Sequence, residues 1–267
     1  SDESKTFSAS SYGVGPNQVC LYAPEEDVDV KITFAAGSGN SKSSSLVGGA
    51  GGLSVFTLTL QQNYEYTVKL GQSTDTYKGA GANFLYKGGT LLVAIGGGGG
   101  SGSSGNGGRG GGVGVAGETA PNGGGQGART YATGQLPLQG YFQGGNWLPP
   151  RSGHDGGRVS GCTFGQTWVN DGYSACQDLG YIRYRGANGS FNSSTTNTIN
   201  RGYKAGLGHR GNSGSPNGGG GAVGGCGSSS GRSGGGGSGY SNGEVTVVST
   251  QLGGNSSTNG YFTIEAA

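Results

Sequence analysis

Apolar and polar residues alternate in short runs towards both ends of the chain. VDVKITF, Val28 to Phe34, puts Val, Val, Ile and Phe on one parity and Asp, Lys and Thr on the other. FTLTL at Phe56 to Leu60 and YEYTVKL at Tyr64 to Leu70 repeat the pattern, as do EVTVVST at Glu244 to Thr250 and YFTIEA at Tyr261 to Ala266. A period of two marks strands with one buried face. The run Leu91 to Ile95, LLVAI, is continuously apolar and reads as a more fully buried strand. No helical period of useful length occurs. The pattern predicts a mainly β protein with little or no α-helix, beginning and ending in sheet.

Between the strands lie two glycine blocks, 96–128 and 206–243. In the first, Gly recurs at 96, 99, 102, 105, 108, 111, 114 and 117; the second carries the same period in shorter phases, such as Gly218, Gly221, Gly224 and Gly227. Three residues per turn is the repeat of a polyproline-II-type helix, which makes no internal hydrogen bonds. Bare backbone on one face would let such helices approach closely and pair their N–H and C=O groups. The expectation is a packed bundle of polyglycine-II helices rather than a flexible linker.

Composition sharpens this. Gly supplies 66 of 267 residues while Pro supplies only seven, and the period breaks repeatedly, which excludes collagen. Charged residues make up 11% and the formal net charge is +2, so there is no basic footprint for nucleic acid and no run suited to a membrane surface. LLVAI is far shorter than the ~20 residues of a membrane helix. Four Cys, without metal-site spacing and amid abundant Ser, Thr and Asn, point to disulfides and an extracellular setting. Cys162 with Cys176 is the local pairing and Cys20 with Cys226 the remaining one; two other connectivities stay open.

The chain therefore divides into sandwich strands over 1–95 with an N-terminal arm at 1–13, the first glycine block, an aromatic Cys-containing insert at 129–205, the second block and closing strands at 244–267. One folded unit is expected. The insert holds Trp147, Trp168, Tyr141 and Tyr173, flat faces suited to stacking on sugar rings or to a small core of their own. Asn188, Asn192 and Asn255 begin Asn-x-Ser sequons, which would carry glycans in a eukaryotic host.

LVGGAGGLSVFTLTLQQNYEYTVKLGQ, followed by GAGANFLYKGGTLLVAIGGGGGSG, resembles the glycine-rich domain of anaplastic lymphoma kinase-type receptors and of bacterial and phage surface proteins and adhesins. GGGGAVGGCGSSSGRSGGGGSGY is similar to a later stretch of those receptors, with Cys226 at its Cys, and NGYFTIEAA to the closing strand of the bacterial and phage proteins. The resemblance covers about two thirds of the chain. It implies a jelly-roll or TNF-like β-sandwich with an inserted polyglycine-II bundle. The insert departs from the receptor pattern, so no receptor ligand-binding residue carries over.

Catalytic chemistry is thin. His154 beside Asp155 reads as an exposed loop pair, and Ser229 in GSSSG matches G-x-S-x-G without the strand-to-helix setting of a nucleophile elbow. The glycine runs open no helix and no P-loop lysine occurs. The acidic run PEEDVDV, Pro24 to Val30, reads as a turn entering a strand rather than a Ca²⁺ site. We expect no enzyme, no metal and no cofactor. The function expected is an extracellular structural subunit of a filament or fibre, joined to copies of itself by an exchanged arm carrying Phe7 and Tyr12. A receptor- or glycan-binding adhesin, displaying loops on the same scaffold at a cell surface or virion fibre, is the alternative.

Overall fold

The computed structural model describes residues 4–9, 17–23, 25–73, 79–88, 90–103, 105–122, 124–125, 127–128, 216, 218–222, 224–225 and 232–267, with four short strands between 141 and 188. These residues are mainly β, and no α-helix occurs among them. Numbered along the chain, β1 (Lys5–Ser8), β14 (Tyr261–Ala266), β3 (Val28–Ala35), β4 (Gly51–Leu60) and β13 (Thr246–Asn255) form a five-stranded sheet in that order. A seven-stranded sheet runs β10 (Gln177–Asp178), β11 (Arg183–Asn188), β2 (Asn17–Tyr22), β5 (Glu65–Leu70), β6 (Asn83–Lys87), β7 (Thr90–Ile95) and β12 (Tyr240–Ser241). A separate hairpin pairs β8 (Tyr141–Gln143) with β9 (Asn146–Leu148). Both main sheets are antiparallel. Two strands, β10 and β11, come from the segment read as an insert, and β11 pairs along its length with β2, so this segment contributes to the second sheet.

One buried apolar cluster draws on both sheets. Val30, Ile32 and Phe34 of β3, Phe56 and Leu58 of β4 and Phe262 of β14 meet Val19, Leu21, Tyr66, Val68 and Val93 from the second sheet. The alternation of VDVKITF puts its apolar parity into this cluster, as a period of two requires. YEYTVKL behaves differently. Thr67 and Lys69 are buried as well, because Phe84, Tyr86, Ala94 and Tyr240 form a second cluster on the opposite face, with Ala222 of the second glycine block. The polar parity of β5 thus faces a second layer instead of water.

At one end of the sheets the strands run straight into glycine. β3 and β7 lead out into it, while β4, β6 and β12 emerge from it. In the core, side chains hold the two sheets apart. Beyond it side chains disappear and the layers close until their backbones bond: Gly52 N–H donates to Gly96 C=O, and Gly49 N–H to Gly99 C=O. Asn83, wholly buried, stands at the junction. Its Nδ2 donates to the carbonyls of Ala35 and Tyr261 across the sheets, and its Oδ1 accepts from Gly71 N–H.

Residues 96–100 lie at the centre of this backbone network. The N–H groups of Gly96 and Gly99 donate to Gly111 and Gly108, that of Gly97 to Gly220 and that of Gly98 to Gly37. Their carbonyls accept from Gly52 and Gly49 on one neighbour, Gly237 and Gly234 on another and Ala80 on a third. Six separate stretches therefore surround this one. Along it, three of these neighbours return after three residues: 108–111 and 49–52 at Gly96 and Gly99, and 234–237 at Gly97 and Gly100. A β-carbon on Gly98 would overlap the carbonyl oxygen of Gly49, and one on Gly99 that of Gly234. Glycine is required here on every face, not on one.

The first block does not continue as a single element, although its glycine period does. It reverses where Gly102 N–H bonds Gly105 C=O, at Val113–Gly114, where Val115 N–H bonds Gly112 C=O, and again where Gly124 N–H bonds Pro121 C=O. In the run at the rim, Ser103, Asn106 and Arg109 are exposed at intervals of three, with Gly107 and Gly108 buried between the last two. Charged and amide side chains take this outward line; those buried within the network are small, as at Ser101, Ser233 and Ser238.

Gly99→Ala is expected to destabilise the protein by about 3 kcal/mol or more, because a buried carbonyl must move. Gly114→Ala, at φ 70° with nothing near the added carbon, should cost only about 1 kcal/mol. Denaturant unfolding of the two variants measures the contrast.

Candidate functional site

The N-terminal arm and the opposite edge of the five-stranded sheet are the features suited to assembly. β1 is four residues long and touches one strand neighbour, β14, with Phe7 opposite Phe262 and Thr6 opposite Thr263. Phe7 is 1% exposed and stacks on Phe262 with ring centroids 4.7 Å apart. Phe262 meets Phe34 edge-on at 6.3 Å, and Phe34 meets Phe56 at 6.1 Å. A row of four phenylalanines thus crosses β1, β14, β3 and β4, and the arm supplies its outermost member. Thr6 and Thr263 hydroxyls lie 2.7 Å apart on the exposed face, and Ala9 N–H donates to Gly260 C=O. Tyr12, the other apolar residue of the arm, lies outside the described residues.

β13 is the opposite edge. Its residues from Thr246 to Gln251 are all exposed, Val247 at 39% and Val248 at 61%. The strand has a bulge: Val247 faces Phe56 and Ser249 faces Val55, leaving Val248 without a partner on β4. Its second half is tied to the glycine network by Gly112 N–H to Gln251 C=O and Gly253 N–H to Gly110 C=O. Sequence reading identified the strand but not its exposure. The Val247-Val248 doublet, which breaks the alternation of EVTVVST, was the available signal.

The remaining candidates are dispersed. Tyr141 and Trp147 fall on the two strands of the β8–β9 hairpin but are not cross-strand partners, since Tyr141 faces Leu148 and Trp147 faces Phe142. Trp168, Tyr173 and Asn192 lie outside the described residues. Asn188 ends β11, opposite Asn17. Asn255 is 7% exposed, and its amide nitrogen donates to the carbonyls of Ala36 and Asn259. A glycan on that nitrogen has no room in the folded chain. Cys20 is buried on β2 and disulfide-bonded; Cys162, Cys176 and Cys226 lie outside the described residues, as do His154, Asp155 and Ser229.

Asp29 accepts from the Thr59 hydroxyl and Asp27 from Gln62 N–H, so both carboxylates serve local structure. Among the described residues no group of three or more His, Cys, Asp or Glu could hold a metal ion. No helix among them is long and apolar enough to cross a membrane. Comparison with known proteins finds no matching family model and no matching curated protein.

Lys69 carries the altered acid–base chemistry of this region. It is 5% exposed, with its ammonium 5.5 Å from the centre of the Tyr86 ring, and burial lowers its pKa from 10.5 to about 8. Between those values the unfolded chain holds a proton that the folded chain has released. Stability should therefore rise with pH from about 8 to 10.5, while below 8 the full cost of burying the charge is carried. Lys69→Met should flatten that rise in unfolding free energy measured against pH. Phe7→Ala should cost about 3–5 kcal/mol if the arm unfolds with the rest of the core, read from the same denaturant curves at neutral pH.

Proposed function

We propose that this chain is a non-enzymatic structural subunit of an extracellular surface filament or fibre, whose copies join by exchanging their N-terminal arms. The observation that carries the proposal is the seating of β1. It is a short strand at a sheet edge, with a single large apolar side chain packed into the shared core against Phe262. Such a strand can leave its own sheet and fill the same place in a neighbour without any new contact being invented, which is the economy of domain swapping. Head-to-tail repetition of that exchange yields a filament.

The proposed body is a jelly-roll or TNF-like sandwich continued at one end by a polyglycine-II bundle, of the kind implied by the resemblance to glycine-rich receptor and surface domains. Support comes from the shared core of the two sheets and from the three-residue recurrence of hydrogen-bond partners around residues 96–100. A bundle of this kind suits a fibre, because its stability comes from backbone hydrogen bonds and close contact instead of a thick apolar core.

The test uses the exposed Thr6–Thr263 pair. The double variant Thr6→Cys, Thr263→Cys, oxidised under assembly conditions, should give a ladder of covalent multimers on a non-reducing denaturing gel, with regular filaments by electron microscopy. Covalently closed monomers only, and isolated particles, would sink the filament reading. The adhesin would then be the reading to pursue, through glycan arrays with Trp147 and Trp168 replaced.

A further inference from the structure

We propose that β13 is a second self-association surface, at which two copies of the chain pair their β13 strands antiparallel about a two-fold axis through Val248. This contact is separate from arm exchange and stands whether or not arms exchange.

An open strand is a template for another, and proteins ordinarily guard such edges with charge, proline, a cover or a bulge that twists the strand away. TVVSTQLGGN, the whole of β13, contains neither a charged residue nor proline. Every residue from Thr246 to Gln251 is exposed, although the Thr250 hydroxyl bonds inward to Val113 C=O and accepts from the Ser54 hydroxyl. The other edge strand, β1, is less than half as long and begins with Lys5. The bulge at Val248 is the one guard the exposed half carries, a second register shift lying between Gln251 and Asn255, and bulges redirect side chains. Here it frees Val248 from β4 and leaves it 61% exposed. The glycine network anchors the strand's second half through Gln251 and Gly253, so the exposed half projects from a fixed base.

The occupant is identified by the side-chain order. Read backwards, TVVST becomes TSVVT, nearly the same in size and branching. Pairing centred on Val248 sets Thr246 against Thr250, Val247 against Ser249 and Val248 against itself. Thr–Thr and Val–Val are favourable cross-strand partners. No like charges meet. In this register Glu244 of one copy stands opposite Leu252 of the other, next to Gly253, where a β-carbon would run into the side chain of Arg109. Glu244 and Arg109 are each already paired within their own chain, Glu244 with Lys87 and Arg109 with Glu118, so the register sets no unpaired like charges together. A five-residue ladder is weak alone. Repeated along a filament it becomes strong through effective concentration, and would join filaments side by side.

The experiment is oxidative cross-linking of the full chain carrying Val248→Cys. A residue on the two-fold axis meets its own copy, so a covalent dimer should form rapidly, while the unmodified chain, whose native cysteines are the control, stays monomeric on the same gel. Thr59→Cys, exposed on the adjoining strand β4 but away from the axis, should yield at least ten-fold less dimer. Val248→Lys should weaken dimerisation at least ten-fold by sedimentation, with an unchanged melting profile showing that the exposed substitution leaves the fold intact. Adding Phe7→Ala should leave the Val248→Cys dimer in place even where filaments are lost, which separates this contact from the arm. Failure of Val248→Cys to cross-link above the Thr59→Cys level, or cross-linking abolished by Phe7→Ala, would overturn the proposal.

Discussion

A peptide group removed from water must find a hydrogen-bond partner, and residues 96–100 bring nothing but peptide groups. That constraint organises the rest of the molecule. Each of these glycines finds its partners on other stretches of the chain, so 37, 49–52, 80, 108–111, 220 and 234–237 all have to arrive at one place. Their arrival fixes which strands end together. It also explains why polar side chains such as Asn83 are buried at the boundary: there the sheets are too far apart to bond directly, and an amide spans the gap.

The apolar core and the glycine network are two solutions to one packing problem. Where strands carry Phe, Leu and Val, burial of apolar area stabilises the pair of layers and side chains set their spacing. Where strands carry glycine, area is scarce, and backbone contact with complete hydrogen bonding replaces it. Ordering glycine is costly in entropy, and dense packing on every side is what offsets that cost. The result is a body whose glycine-rich end is firmly anchored and whose five-stranded sheet ends in two open edges, β1 and β13. The assembly we propose uses those edges.

Much of the strand inventory was legible in advance. VDVKITF, FTLTL and YFTIEA are strands whose apolar parity enters the shared core, because alternation reports directly on a one-sided environment. YEYTVKL was legible as a strand but not as one buried on both faces, since Lys69 and Thr67 read as solvent-facing until a second layer is known. Likewise EVTVVST looked like an ordinary strand, and nothing in its composition says that no neighbour covers it. Asn255 read as a glycan acceptor from its sequon alone; its burial against Ala36 is a contact across more than two hundred residues.

From the sequence by itself came the class of the protein, the places where chain must be strand and the three-residue period of the glycine blocks. Those are local properties, carried by side-chain alternation and by the absence of a β-carbon. Only the tertiary structure decided that the first block turns back several times, that glycine is needed on all sides of residues 96–100, and that Phe7 completes a row of rings begun more than two hundred residues later. The physical reason is that a glycine carries no side chain to specify its neighbour. Which backbone it bonds is settled by where the surrounding strands, held by their own cores, deliver the chain.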